Sequence, residues 1–261
     1  MKVMTFNANG IRAAKRKGFF EWVQDQQPDV LCIQETKAQM SELEDQLKIP
    51  GYYLYYHDAQ KPGYSGVAIY TRYQPQNVQV GLDFPLIDEE GRHIRADWEH
   101  LTVISAYFPS GSSGDHRQQK KYEFLAFYEQ YIDQLLAQNK PFIICGDWNI
   151  VHTQKDIRNF RSNQTNSGCL PEERAWLDKI FYDKQCIDSF RVINQEEGEY
   201  TWWSFRGQAW SKNVGWRIDY QVTSPDLQNK IEDVSVYRQQ RFSDHAPFAV
   251  DYNLDKALGD E

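Results

Sequence analysis

The chain has 261 residues, 41% of them hydrophobic and 15% aromatic, and a formal net charge of −8. So much aromatic surface excludes a disordered chain. With no Gly/Ser-rich or Pro-rich tract to act as a linker, the length fits one domain, able to bury roughly three quarters of its unfolded surface. The acidic balance counts against a duplex-binding surface taken as a whole, because such surfaces are ordinarily basic.

Taken in chain order, short β-rich apolar runs lie at 2–6, 29–34, 65–72, 101–107, 142–146, 217–223 and 246–251. Several are apolar on both faces, which predicts strands covered on both sides. A helical pattern at 11–26 carries Phe19, Trp22 and Val23 and is interrupted by Gly18. Residues 92–98 and 101–107 flank Glu99-His100 as a hairpin. Over 117–138, Phe124, Tyr128, Tyr131, Leu135 and Leu136 form one helical stripe, with Lys120, Lys121, Glu129 and Asp133 largely off it. Another helix starts after Pro171, where Glu172 and Glu173 suit the first turn. Strands and helices alternate without a strict βαβ rhythm, which predicts a mixed α/β sandwich of packed sheets rather than a doubly wound parallel sheet. The domain is expected to span 1–252, with a short acidic tail at 253–261.

Met1-Lys2 leads straight into Val3-Met4-Thr5-Phe6 with no apolar signal region, and no apolar run approaches a membrane span. The four cysteines, Cys32, Cys145, Cys169 and Cys186, show no C-x-x-C spacing. A reducing, cytoplasmic setting and no membrane partner are therefore expected.

The informative polar residues fall at strand ends, where a sheet gives way to loops. Strand 2–6 runs into Asn7-Ala8-Asn9-Gly10, and strand 29–34 runs into Glu35. Strand 142–146 runs into Asp147-Trp148-Asn149, with the polar pair on one face and Trp148 turned into packing. Asp219 interrupts an apolar strand, which is costly unless the group is paired. The last strand is preceded by Ser243-Asp244-His245, and Asp219 is placed to orient His245. Each motif also has a structural alternative: an Asn-rich turn, a Glu35–Lys37 pair, a capping turn. His57, His93, His100 and His116 are read as structural and His152 as a loop residue. Zinc spacing and a nucleophile elbow around Ser243 are both missing. Oxygen-rich donors point to Mg²⁺ or Mn²⁺, and with Asn and His to metal-assisted cleavage of a phosphate ester. Basic groups (Arg12, Lys15, Arg16 and Lys17; Arg117, Lys120 and Lys121; Arg158 and Arg161; Arg206, Lys212 and Arg217) neighbour these motifs, whereas the acidic runs mostly do not.

Asn7-x-Asn9-Gly10, Gln34-Glu35-Thr36-Lys37, Tyr107-Phe108-Pro109, Gly146-Asp147-Trp148-Asn149, Pro171-Glu172-Glu173-Arg174, Asn213-Val214-Gly215-Trp216-Arg217-Ile218-Asp219-Tyr220 and Ser243-Asp244-His245-Ala246-Pro247 stand in this order over residues 1–252. Together they resemble the exonuclease III and abasic-site (AP) endonuclease branch of the endonuclease–exonuclease–phosphatase superfamily. The 213–220 motif separates that branch from the phosphatase and DNase I-like ones.

The resemblance implies a four-layered α/β sandwich of the DNase I-like type, with two face-to-face mixed sheets flanked by helices. It implies Mg²⁺ held chiefly by Glu35, with Asn7 and Asp244 close by and Asp147, Asn149 and His245 around the same ion. Asp147 would orient or deprotonate the attacking water. Asn149 would hold a phosphate oxygen, His245 backed by Asp219 would stabilise phosphate charge, and Tyr107 would assist the leaving oxygen. Asn163, Asn166, Trp202, Trp216 and Arg217 would meet double-stranded DNA carrying an abasic site or a 3′ end, the two tryptophans lining an apolar sugar pocket. A monomer is expected. Asn9 stands where many relatives carry Asp, which removes a charge, and Trp148 is bulkier than the usual residue at its position. Two other readings are a lipid or inositol phosphodiesterase of the superfamily and a non-catalytic nucleic-acid-binding regulator. The 213–220 motif opposes the first, and the filled positions Glu35, Asp147, Asn149 and His245 oppose the second.

Overall fold

The computed structural model describes residues 1–254 and 257–259. Its strands in chain order are β1 (Lys2–Asn7), β2 (Val30–Gln34), β3 (Tyr53–His57), β4 (Val67–Thr71), β5 (Asn77–Val80), β6 (His93–Asp97), β7 (Thr102–Tyr107), β8 (Phe142–Asp147), β9 (Ile187–Asp188), β10 (Asp219–Thr223), β11 (Ile231–Val236) and β12 (Phe248–Tyr252). They form two six-stranded sheets, ordered β11-β12-β1-β2-β4-β3 and β5-β6-β7-β8-β10-β9. Both are mixed. β1 and β2 are parallel in the first, β7 and β8 in the second, and the other pairs are antiparallel.

Alternation along the central strands builds three apolar layers. Val3, Val30, Cys32, Val67 and Ile69 of one sheet meet Ile94, Val103, Ile143 and Cys145 of the other. The intervening residues Met4, Phe6, Leu31 and Ile33 face outward onto Phe19, Phe20, Val23, Met40 and Leu47 of the flanking helices. Ile104, Phe142, Ile144, Tyr220 and Val222 face outward on the second sheet, onto the helices Asp115–Ala137 and Pro171–Asp178. Helix, sheet, sheet and helix are thus stacked as four layers. Gly18, with φ 85 in the left-handed region, splits the expected helix at 11–26 into Ile11–Arg16 and Phe19–Gln26.

Four strands, β3, β5, β9 and β11, have no counterpart among the runs expected from sequence. They are the four sheet edges. An edge strand has one unpaired side and is often half-wetted, so it lacks the doubly apolar signature; β5 reads Asn-Val-Gln-Val with no buried residue. Asp219 marks the start of β10, two residues later than the run at 217–223 predicts. Of the expected acidic tail, residues 255, 256, 260 and 261 lie outside the described residues. Ala257 and Leu258 pack on the inter-sheet core.

The sheet geometry collects the polar strand ends at one rim. β1, β2, β7 and β8 deliver Asn7, Glu35, Tyr107 and Asp147 from their C-terminal ends. β10 runs antiparallel to β8 and pairs Asp219 with Asp147. β12 runs antiparallel to β1, which places the preceding Asp244-His245 near the same rim. Gly146 lets β8 pass close to β7: a Cβ there would lie 1.8 Å from the Ala106 carbonyl oxygen. Gly146→Ala should therefore force the parallel pair apart and destabilise the fold by about 3 kcal/mol or more, read as a lower urea midpoint.

Candidate active site

Asn7 is fully buried at the end of β1. Its Nδ2 donates to Glu35 Oε1 at 2.8 Å and to Asp147 Oδ2 at 2.9 Å, and its Oδ1 accepts the Asn9 backbone N–H at 2.9 Å. The amide presents protons, not its oxygen, to the two carboxylates. Asn7, expected close to a metal, bridges the two carboxylates and so sets their spacing.

Glu35 leaves β2 in the left-handed region, with φ 49. Its Oε2 lies 3.0 Å from Lys37 Nζ, so the ion pair named as the structural alternative for Glu35 is present. Lys37 also donates to Asn9 Oδ1, and Asn9 Nδ2 donates to Asp244 Oδ1 at 3.0 Å. Asn9 therefore joins a lysine to an aspartate, a task that an Asp at this position could not share with Asp244.

Asp147 is 1% exposed. Its Oδ1 accepts the Asn149 N–H at 2.9 Å, and its Oδ2 faces Asn7. Burial pushes this carboxyl up to about 8; His245 opposes the rise, while Asp219 and Glu35 add to it. His245 is 4% exposed, with Nδ1 2.8 Å from Asp219 Oδ2 and Nε2 3.7 Å from Asp147 Oδ2. Burial alone would lower its pKa, but Asp219, then Asp147, outweigh it and raise the imidazole to about 10. Its Nε2, the nitrogen that Asp219 does not engage, faces Asp147 at the floor of the cleft. Thr201 Oγ1 holds the Ile218 and Asp219 N–H groups at 3.2 Å each, fixing the start of β10.

Among the described residues, Glu35, Asp147 and His245 form a group whose potential ligand atoms all lie within 4.8 Å of one another. The hard oxygens of Glu35 and Asp147 suit a divalent cation, and such an ion would relieve the like charge of Glu35 and Asp219 that adds to the effect of burial on Asp147. The residues therefore fit a metal ion. Asp244 stands outside this group. Its Oδ1 accepts from Asn9 and Ser243 and its Oδ2 from Trp202 Nε1 at 3.0 Å.

Asn149 has φ 52, and its Nδ2 donates to the Phe108 carbonyl at 2.8 Å, with Asp147 Oδ2 at 3.4 Å. Trp148, turned the other way as expected, is buried and stacked on Phe108 at 4.6 Å. Tyr107 is half-buried, with the Arg92 guanidinium 4.6 Å from its ring centroid. Burial and then Glu35 raise its phenol well above the usual value, against the pull of Arg92.

These groups open onto a cleft of about 950 Å³ whose lining includes Glu35, Tyr107, Asp147, Asn149, Asp244 and His245. Trp202 and Trp216, edge to face at 5.9 Å, form part of its wall together with Ile218 and Leu170. Asn166 lines the cleft, whereas Asn163 sits behind it, accepting from Asn166 Nδ2 at 2.9 Å. Arg206, noted in the sequence only as part of a basic cluster, also faces this space. Arg217 does not. It is 1% exposed and bonded to Asp156 at 2.7 Å and to Asp188 at 2.7 Å and 3.1 Å. The expected DNA contact is a buried structural ion pair, because the residue lies between two carboxylates, one on the turn Gln154–Asp156 and one on β9, that need a counter-charge. His93 is buried against Tyr128 and Tyr131, Trp203 is packed with its Nε1 bonded to Asn213, and His152 pairs with Asp178 in a loop.

Paired carboxylates with a charged imidazole, set at the rim of a two-sheet sandwich, define a phosphate-ester hydrolase. A profile described as the Endonuclease/Exonuclease/phosphatase family matches residues 4–245. The chain is 36% identical over 260 residues to an exodeoxyribonuclease of Bacillus subtilis, covering 97% of this chain and all of that one. It is 35% identical over 258 residues to a DNA-(apurinic or apyrimidinic site) endonuclease of Dictyostelium discoideum, covering 97% of this chain and 71% of that protein. Among solved structures, an AP endonuclease from Archaeoglobus fulgidus superposes with a TM-score of 0.85 at 27% identity, covering 97% of this chain and 100% of that one. The chain belongs to the endonuclease/exonuclease/phosphatase family, in its exonuclease III and abasic endonuclease branch, and is a hydrolytic nuclease.

Two outcomes follow from these pairings. Arg217→Ala removes the cation of Asp188 and leaves Asp156 with Arg191 alone, so it should cost about 3 kcal/mol of stability, read by denaturant unfolding. Asp219→Asn removes the main support of the imidazolium, so the His245 titration should fall from about 10 toward the ordinary histidine range, read by NMR of the ring protons in the metal-free protein.

Proposed function

We propose that this nuclease hydrolyses the phosphodiester 5′ to an abasic site in double-stranded DNA, and also removes nucleotides or blocking groups at 3′ ends. It acts with Mg²⁺, for which Mn²⁺ substitutes, as a monomer in the cytoplasm. The observation that carries the reading is the meeting of Glu35, Asp147 and His245, from distant segments of the chain, at the foot of a cleft walled by Trp202 and Trp216. The relatives are named for both chemistries, one an exodeoxyribonuclease and one an abasic-site endonuclease, and one in-line displacement serves both.

Glu35 and Asp147 would hold the cation, with Asn7 keeping their spacing. When bound, the ion supplies charge neutralisation at the phosphate and a more acidic water. Asp147, whose Oδ2 lies beside Glu35 across Asn7 and opens onto the cleft, would orient the attacking water and take its proton. The imidazolium of His245 faces the charge that grows on the phosphate, and Asp219 keeps it charged. Asn149 gives up its long 3.4 Å contact with Asp147 to donate to a non-bridging oxygen. Tyr107, whose phenol stays protonated, donates toward the leaving oxygen. Trp202 and Trp216 offer an apolar wall to a deoxyribose without a base, and Asn166 a polar contact to the strand.

The test uses a duplex carrying a tetrahydrofuran abasic analogue and a 3′-recessed duplex. Both should be cleaved with Mg²⁺ and spared in EDTA. Asp147→Asn and His245→Ala should each lower the rate by about 10²–10⁴-fold. Cleavage that persists in EDTA would count against the mechanism. Turnover of a phospholipid or inositol phosphate in place of DNA would point to a lipid-directed enzyme, and RNA binding without any turnover to a regulator.

A further inference from the structure

The helix Asp115–Ala137 turns six apolar side chains toward the second sheet, and with them Lys121. Lys121 is wholly buried, its Nζ 2.6 Å from Glu173 Oε1, and Glu173 is equally buried. The same ammonium donates to the backbone carbonyl of Asn149 at 2.8 Å. Glu173 accepts the Gly168 N–H at 2.6 Å, the Leu170 N–H at 3.2 Å and Gln118 Nε2 at 3.0 Å. Gly168 in turn accepts from the Val151 N–H through its carbonyl at 2.8 Å. One buried ion pair therefore ties the turn at Asn149 to the loop that carries Thr165, Asn166 and Ser167 into the cleft.

A well-packed apolar residue could occupy this position without the desolvation penalty of an ammonium and a carboxylate, so stability does not account for the pair. Its geometry does. Asn149 holds the left-handed conformation at φ 52, which asparagine adopts more readily than most residues, and three bonds fix it there. Its N–H is held by Asp147, its side-chain amide by Phe108 and its carbonyl by Lys121. The first two bonds come from the strand ends beside the site, and the third reaches in from the outer helix layer.

We propose that Lys121, backed by Glu173, is a positioning residue for catalysis: by fixing the Asn149 carbonyl it aims the Asn149 amide into the cleft. This rests on the reading that Asn149 serves the phosphate. Lys121 touches no reacting atom; its hydrogen bond to the site runs through residue 149, and its charge also attracts Asp147 more weakly than it does Glu173.

The test is a double-mutant cycle on kcat for the abasic duplex with Mg²⁺, using Lys121→Met, Asn149→Ala and the double variant. Misplacement of an aligned group costs on the order of 100-fold, so Lys121→Met should lower kcat by about that factor while KM stays within about twofold. In the Asn149→Ala background the same change should cost nothing further, because there is no amide left to misplace. Should Lys121→Met melt too low to assay, Lys121→Met with Glu173→Gln completes the cycle, since glutamine keeps an acceptor for Gly168 and Leu170 and removes the stranded charge. An active wild-type enzyme in which the loss is the same in both backgrounds, or absent in both, overturns the inference and leaves the function intact. A wild-type enzyme that cleaves neither abasic nor 3′-recessed DNA overturns the function, and the inference with it.

Discussion

His245 sits between two carboxylates, 2.8 Å from Asp219 and 3.7 Å from Asp147, almost wholly out of water. Glu35 is joined to the same group through Asn7. A buried carboxylate without compensation is expensive, and here three share one imidazolium. The remaining features of the site answer that imbalance. Asn7 spends both amide protons on it, Lys37 shields the outer oxygen of Glu35, and Thr201 fixes the strand that carries Asp219. What is left over is negative charge beside a cleft, the condition under which a divalent cation and then a phosphate ester are welcome.

The two sheets make that arrangement possible with little local contrivance. A parallel pair at the centre of each sheet brings two C-terminal strand ends to the same rim, and the antiparallel neighbours bring two N-terminal starts to meet them. The register of β10 on β8 places Asp219 opposite Asp147, so a slip of one residue would turn Asp219 into the core. Gly146 matters for the same reason, since it admits the backbone approach that holds Tyr107 beside Asp147. The apolar layers on both outer faces clamp these strands, and the catalytic rim inherits their rigidity.

Much of the site was legible because polar residues ending strongly apolar strands have few structural uses. Asn7, Glu35, Asp147, Asn149 and Asp219 each follow or open a run whose other positions are committed to packing. What each does there was less legible. The motifs name Asn7 and His245, but only the folded chain shows that Asn7 bridges Glu35 and Asp147 and that His245 lies between Asp219 and Asp147. Lys121 reads as largely off the apolar stripe of its helix, yet it lies one turn before Phe124 and Leu125 on the buried face, where Glu173 from another helix meets it. Arg217, flanked by Trp216 and Ile218, reads as a cleft residue until Asp156 and Asp188 are seen on either side of it. The four edge strands escaped for a simpler reason: one open side leaves no apolar pattern.

The sequence by itself determined the central strands, the main helices and the identity of the polar residues at strand ends, since these follow from apolar periodicity and from motifs local in the chain. Beyond the Asp219–His245 and Glu35–Lys37 pairs that the motifs suggested, tertiary structure decided which charged and polar groups meet. A hydrogen bond and an ion pair join Asn7 to Asp147 and Lys121 to Glu173 across 140 and 52 positions of sequence. Electrostatic partners are set by distance in space and by exclusion of water, and neither quantity is written in any local stretch of the chain.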